Sequence, residues 1–199
     1  FEVRWLQWAE KLQAAMDELF WDADGGGYFN SRADDASVIL RLKEDHDGAE
    51  PSANSVAALN LLRLEWLIGG AGSGAGSCKA RALQVVEAFR PQWTRVPQSL
   101  PQLLCAIELV VDAPRTVVIA GDPAAEDFRA LASVVHEAPG PQRALVCADG
   151  GEAQQWLAGR RPYLADMKPA GGRATAYVCE NFVCQQPVNT AEELRALLR

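Results

Sequence analysis

The sequence predicts a mixed, mainly helical chain in two parts: helical hairpins over residues 1–113, with a short hairpin at 27–43, and then a small α/β segment over 114–199. Three observations carry this reading. In the first part, apolar residues recur at three- and four-residue steps. A Gly/Ala/Ser connector at 69–77 separates two of these stretches and reads as the exposed tip between antiparallel helices. After Pro114 the rhythm changes to short continuous apolar runs, closed by Gly-Asp-Pro or Asp-Gly-Gly and alternating with helical stretches.

Element by element, Trp5, Trp8, Leu12, Ala15, Met16 and Leu19 place an amphipathic helix over 2–20, ended by Asp24-Gly25-Gly26-Gly27. Tyr28-Phe29-Asn30 and 37–42 read as strands of a hairpin turning through 31–36. The next helix starts at Pro51 or Ser52, Ser52 being a good N-cap, and runs to about Ile68. It is apolar nearly all round, which predicts neighbours on every side. Cys78 to Phe89 form the returning helix, with Pro91 as its end, and a further helix starts near Ser99 with Pro101 in its first turn. Thr116–Ala120, Arg143–Ala148 and Ala174–Cys179 are expected strands. Residues 124–134 and 152–158 are expected helices, and Thr190 with Glu193 makes a capping box for the last one.

The chain has 199 residues and is 49% hydrophobic, enough for a substantial core. Its net charge of −7 and its lack of clustered Lys and Arg exclude a nucleic-acid partner and disfavour an anionic membrane surface. No apolar run reaches the roughly 18 residues a spanning helix requires. The chain opens on Phe1 inside a helical pattern, without an initiator Met, and reads as the C-terminal part of a longer protein. Any targeting segment would then lie upstream, so localisation stays open.

The five cysteines are scattered and odd in number, which is not a secreted disulfide framework, and reduced thiols in a cytoplasmic or organellar protein are expected. Cys105 and Cys147 sit in apolar runs and are expected to be buried. Cys179 and Cys184, close in sequence, are the candidates for a local disulfide or a redox pair. No second Cys or His pair accompanies them, so no metal is expected, and no cofactor. The glycine-rich connector lacks the Lys-Ser/Thr of a phosphate-cradling loop.

The most informative segment is 42–55. It packs Lys43, Glu44, Asp45, His46, Asp47, Glu50, Ser52 and Asn54 against the start of an apolar helix, where free N–H groups and partial positive charge gather. A structural reading stands beside the functional one: acids before a helix complement its dipole, Asp47-Gly48 is a common turn, and Ser52 is an ordinary cap. Asn60, an amide inside an apolar helix, must find partners or face a wet cavity. Asp122 sits at a strand end, either as a cap or where open α/β sheets bind ligands. His136 suits the C-terminal dipole of its helix.

Glu18-Leu19-Phe20-Trp21-Asp22 with Gly25-Gly26-Gly27-Tyr28-Phe29, then Arg41-Leu42-Lys43, the run Asp47 to Ser55, Asn60-Leu61-Leu62-Arg63-Leu64, Ala174 to Asn181 and Cys184 together resemble the C-terminal region of the spermatogenesis-associated protein 20 family. The resemblance implies an N-terminal thioredoxin-like domain followed by a six-hairpin (α/α) toroid similar to those of N-acylglucosamine epimerases and several glycosidases. The helices of 1–113 would be the closing part of that toroid, and the thioredoxin-like domain, preceding it in the same chain, would be a partner. The Gly/Ala/Ser connector departs from the family pattern.

On that analogy a small-molecule sugar is the expected ligand. Glycoside hydrolysis needs two carboxyls roughly 5 to 9.5 Å apart, for which Asp45, Asp47 and Glu50 are candidates. An epimerase needs a base, for which His46 or Lys43 qualifies. Lys43, Ser52, Asn54, Asn60 and Tyr28 would bind substrate, with Trp21 or Trp66 as further stacking surfaces. The alternatives are a noncatalytic scaffold for the thioredoxin-like domain, or redox chemistry at Cys179 and Cys184.

Overall fold

The computed structural model describes residues 2–69, 77–112, 114–138, 143–180 and 183–198, so most of the expected connector at 69–77 lies outside the described residues. The chain divides into two compact units, one of Arg4–Val111 and one of Asp112–Arg199 together with Phe1–Val3. Among the described residues there are eight α-helices and one four-stranded mixed sheet.

The first unit is helical. Helix α1 spans Val3–Phe20. Its expected apolar face is turned inward only at its C-terminal end: Trp5, Trp8 and Leu12 are all more than half exposed, while Gln13 is the buried residue. The inward edge combines Met16 and Phe20, which join the core, with Gln13 and Asp17, whose polar groups find partners there. Pairing, rather than hydropathy alone, decides this helix's orientation.

After α1 the chain makes a tight return in which Asp22 N–H donates to Gly27 O (2.9 Å) and Phe29 N–H to Phe20 O (2.9 Å). Tyr28 bridges Trp21 there, and the expected 27–43 hairpin is not formed. Asn30 N–H reaches Leu42 O at 2.8 Å, but the return position is taken by the Asn30 side chain, which accepts from Leu42 N–H at 3.3 Å. Ile39 and Leu40 are exposed, so this arm buries no apolar face that could fix a register.

Helix α2, Ala53–Ile68, is capped by Ser52, whose side chain accepts from Ser55 N–H. It packs against α3, Cys78–Ala88, and α5, Pro101–Val111, which explains its nearly all-round apolar pattern. Pro91 does not close α3. The chain breaks at Phe89 and re-enters a short helix α4, Arg90–Arg95, with Pro91 in its first turn, where a missing N–H costs nothing. A 3₁₀ turn at Pro97–Ser99 leads into α5. Ala58, Leu61, Val85, Leu100, Leu103 and Ala106 are at most 1% exposed and form the centre of the core. Each fully buried Leu or Val contributes about 1.5–3 kcal/mol. Cys105, expected to be buried, faces outward on α5.

The second unit is α/β. Strands β1 (Arg115–Ala120), β2 (Arg143–Ala148), β3 (Thr175–Glu180) and β4 (Val183–Cys184) lie in the order β2-β1-β3-β4. β1 and β2 are parallel, and the β1–β3 and β3–β4 pairs are antiparallel. The central strand is buried on both faces, as its continuous apolar run requires. Register sets Val117 opposite Val178 and Ile119 opposite Ala176. These four share a core with Phe128, Leu131 and Val134 of α6 (Glu126–Glu137) and Leu194 of α8 (Ala191–Leu197). Helix α7, Glu152–Ala158, packs on β2 and on a 3₁₀ turn at Pro162–Asp166. The Thr190–Glu193 capping box is formed: Thr190 Oγ1 accepts from Glu193 N–H and donates to Glu193 Oε2 at 2.8 Å.

Candidate functional site

The segment 42–55 is held by its own side chains. Asp47 stands at its centre. Its Oδ1 accepts from Ser52 N–H at 2.8 Å and its Oδ2 from Gln102 N–H at 2.8 Å, so one carboxylate serves the starts of both α2 and α5. Asp47 N–H donates to Ser99 O, fixing the segment to the turn before α5. Burial works to raise the Asp47 pKa, but hydrogen bonds from Ser52, Ser55 and Gln102 outweigh it and hold the carboxyl below its ordinary value.

Asn54 makes the second anchor. Tyr28 N–H donates to Asn54 Oδ1 at 2.7 Å and Asn54 Nδ2 donates to Tyr28 O at 2.9 Å. This reciprocal pair gives a buried stretch of backbone the partners a strand ladder would have supplied. Gly27 makes room for it: φ is +78°, and a Cβ there would fall 3.0 Å from Asn54 Oδ1.

Tyr28 points its hydroxyl into α1, donating to Asp17 Oδ1 at 2.6 Å and accepting from Gln13 Nε2 at 3.0 Å. Arg81 of α3 pairs with Asp17 and completes the network. Burial, joined by the Asp17 carboxylate, pushes the Tyr28 phenol far above its usual range. Lys43 is equally committed: its Nζ lies 2.6 Å from Asp22 Oδ2 and donates to Gly26 O. The hydrogen bond from Lys43 is the chief reason that the Asp22 pKa falls. Ser52 caps α2 and donates to Ser55 Oγ at 2.9 Å.

The remaining candidates face solvent. Asp45, His46 and Glu50 are exposed, with His46 Nδ1 3.4 Å from Asp45 Oδ1, and Glu44 Oε2 accepts from Ala53 N–H at 3.3 Å. Asn60 is exposed on α2, so the expectation of a buried amide in need of partners is corrected: its position on the helix turns it outward. Thus Asp47 with Ser52, Asn54 with Tyr28, and Lys43 with Asp22 form three bonded sets, whereas Asp45, His46, Glu50 and Asn60 belong to none of them.

A shallow groove of about 440 Å³ runs beside Asp45 and His46, lined also by Gln92, Arg95, Val96 and Ser99. Gln92 Oε1 is buried there without a hydrogen-bond partner. Sequence reasoning missed Gln92 and Arg95, and also Gln13, Asp17 and Arg81. Each lies on a helix other than the one that carries the segment, so no spacing along the chain marks it.

The cysteine pair is not reduced. Cys179 and Cys184 face each other across β3 and β4 and are joined in a disulfide. The antiparallel register brings them together, as the expected local disulfide requires, and the expectation of reduced thiols is corrected for these two. Cys147 is buried as expected, and burial raises its thiol to about 11. Among the described residues no group of three or more His, Cys, Asp or Glu is placed to hold a metal ion, and no helix is long and apolar enough to cross a membrane.

No protein-family model matches the chain. Among curated proteins it is 42% identical over 198 residues to human spermatogenesis-associated protein 20, covering 99% of this chain and 24% of that protein. The rat protein of the same name is 41% identical over the same length. An uncharacterised Caenorhabditis elegans protein is 31% identical over 193 residues, with 97% of this chain and 25% of that protein covered. The chain therefore spans about a quarter of the length of the curated relatives it matches. On its sequence, the chain is homologous to a segment of spermatogenesis-associated protein 20.

Proposed function

We propose that residues 42–55 are a structural clasp, and that the helical unit serves as a noncatalytic scaffold within a protein similar to spermatogenesis-associated protein 20. One observation carries this reading: the carboxylate of Asp47 is spent on the backbone N–H groups of Ser52 and Gln102. A general acid or nucleophile must exchange a proton or a bond with substrate, and a carboxylate whose two oxygens both accept backbone hydrogen bonds, and whose proton affinity is lowered, is poorly suited to act as an acid. Asn54, Lys43, Tyr28 and Ser52 are occupied in the same way, so the substrate contacts an epimerase or glycosidase would need are absent from these sets. The scaffold would belong to an (α/α) toroid beside a thioredoxin-like domain. Its support is the family resemblance and the packing of α2 between α3 and α5.

A second reading, a carbohydrate-binding groove, is favoured by the polar lining that Asp45, His46, Gln92 and Arg95 give the groove.

Thermal shift of the whole protein against neutral, amino and phosphorylated sugars separates the two. The scaffold reading expects no sugar-dependent shift. A saturable shift lost in Asp45→Ala and Gln92→Leu would replace it with the second reading.

A further inference from the structure

The α/β unit holds a cleft of about 700 Å³ at the carboxyl ends of its two parallel strands, within the size range of small-molecule sites. Its rim comes from the loop after β1, at Gly121, Asp122 and Pro123, and from the loop after β2, at Asp149 and Gly150. This is where open α/β sheets take their ligands. The loop after β2 presents bare backbone at Gly150, where φ is +79° and a Cβ would meet nothing within 4 Å, while Gly121, with φ of +145°, is buried, and a Cβ there would fall 3.2 Å from Ala174 Cα. The opposite wall is fixed by the buried Gln154. It accepts from Gly150 N–H at 2.6 Å and donates to Leu164 O and Met167 O, at 2.7 and 3.1 Å, tying the β2 loop to the 162–167 turn.

The lining chemistry narrows the ligand. Ala158, Ala165, Met167 and Pro123 give a low apolar surface suited to a flat ring. Asp149, at the end of the second parallel strand, occupies the position from which an acidic residue accepts the two hydroxyls of a ribose in βαβ units. One of its oxygens, Oδ1, accepts from Gly151 N–H at 2.8 Å, which orients the carboxylate. Phosphate is disfavoured. The loop after β1 reads Gly121-Asp122-Pro123-Ala124-Ala125-Glu126, without the further glycines of a pyrophosphate loop, and α6 begins with Glu126 and Asp127. Lys168 is the one cation lining the cleft among the described residues, against Asp122 and Asp149.

We propose that this cleft binds a ribonucleoside without a phosphate, its ribose hydroxyls on Asp149 and its base on the Ala158–Met167 surface. The inference concerns the α/β unit alone, so its fate and that of the clasp reading are decided separately.

The test is isothermal titration of the whole protein with adenosine, guanosine, cytidine and uridine, repeated for the best binder with its 2′-deoxy and 5′-monophosphate forms. Saturable binding of at least one nucleoside is expected, weaker by about tenfold for the 2′-deoxy form and for Asp149→Asn, as loss of a charged hydrogen bond predicts. Asparagine retains an oxygen for Gly151 N–H, so that variant keeps the loop. Amide chemical shifts of the native protein give a second readout, independent of any variant: changes should gather at Gly121, Asp122, Gly150 and Gly151. No saturable binding, a monophosphate that binds as tightly as the nucleoside, undiminished binding in Asp149→Asn, or shift changes elsewhere would each overturn the proposal.

Discussion

Asn54 and Tyr28, 26 positions apart, are joined by a reciprocal pair of hydrogen bonds in which the amide of one serves both the N–H and the C=O of the other. This contact fastens the return after α1 to the first turn of α2. Around it lie Gly27, which leaves the space, and Asp47, which fixes the other end of the segment.

Asn54→Ala leaves the Tyr28 N–H and C=O buried without partners. The expected loss is about 2–4 kcal/mol of unfolding free energy, read by urea denaturation, because each orphaned buried group costs its desolvation. Asn54→Asp should be nearly as damaging, since it places an acceptor against the Tyr28 carbonyl.

Asp47→Asn should destabilise in a pH-dependent way. The carboxyl is held below its ordinary value in the folded state, so its contribution is fully present above the unfolded-state value of about 4 and is lost as pH falls through the lower folded-state value. The stability difference between native protein and variant, followed by denaturant melts from pH 7 downward, should therefore shrink below pH ~4.

Asp45→Ala, His46→Ala and Glu50→Ala remove exposed side chains outside the bonded sets. Each should change stability by no more than about 0.5 kcal/mol, measured by thermal unfolding. A larger loss at any of them would mean that the clasp extends beyond Asp47, Asn54 and Lys43.

Gly27→Ala combines a φ of +78° with a Cβ 3.0 Å from Asn54 Oδ1. It should cost at least about 1 kcal/mol from the backbone alone, and more if Asn54 is displaced. Combined with Asn54→Ala, the two losses should be less than additive in a double-mutant cycle, because they act on one contact.

Thiol titration of the native protein should find Cys105 reactive and Cys147 silent until unfolding, with Cys179 and Cys184 appearing only after reduction. Exposure and a raised thiol pKa set that order, since the thiolate is the reacting form.

Local sequence pattern placed most of the elements. Three- and four-residue apolar steps located α1, α2, α3 and α5, continuous apolar runs located β1 to β3, and Ser52 and Thr190 named two caps, because each of these signals is local to the backbone it shapes. It also located the segment 42–55 as a place where polar groups gather. What those groups do depends on long-range contacts. Gln13, Asp17, Arg81 and Gln102 come from three different helices to meet Tyr28 and Asp47, and no spacing along the chain encodes such meetings. Local pattern misled where pairing outweighed it. Residues 37–42 look like a strand, but with no face to bury the arm leaves its ladder position to the side chain of Asn30. Trp5, Trp8 and Leu12 look like a core face, but α1 turns inward the edge whose polar groups the fold can satisfy. Cys179 and Cys184 look like one spaced pair among five thiols, and the β3–β4 register makes them a disulfide. The reason is the same each time: a buried polar group is stable only with a partner, and the partner's position is a property of the folded chain.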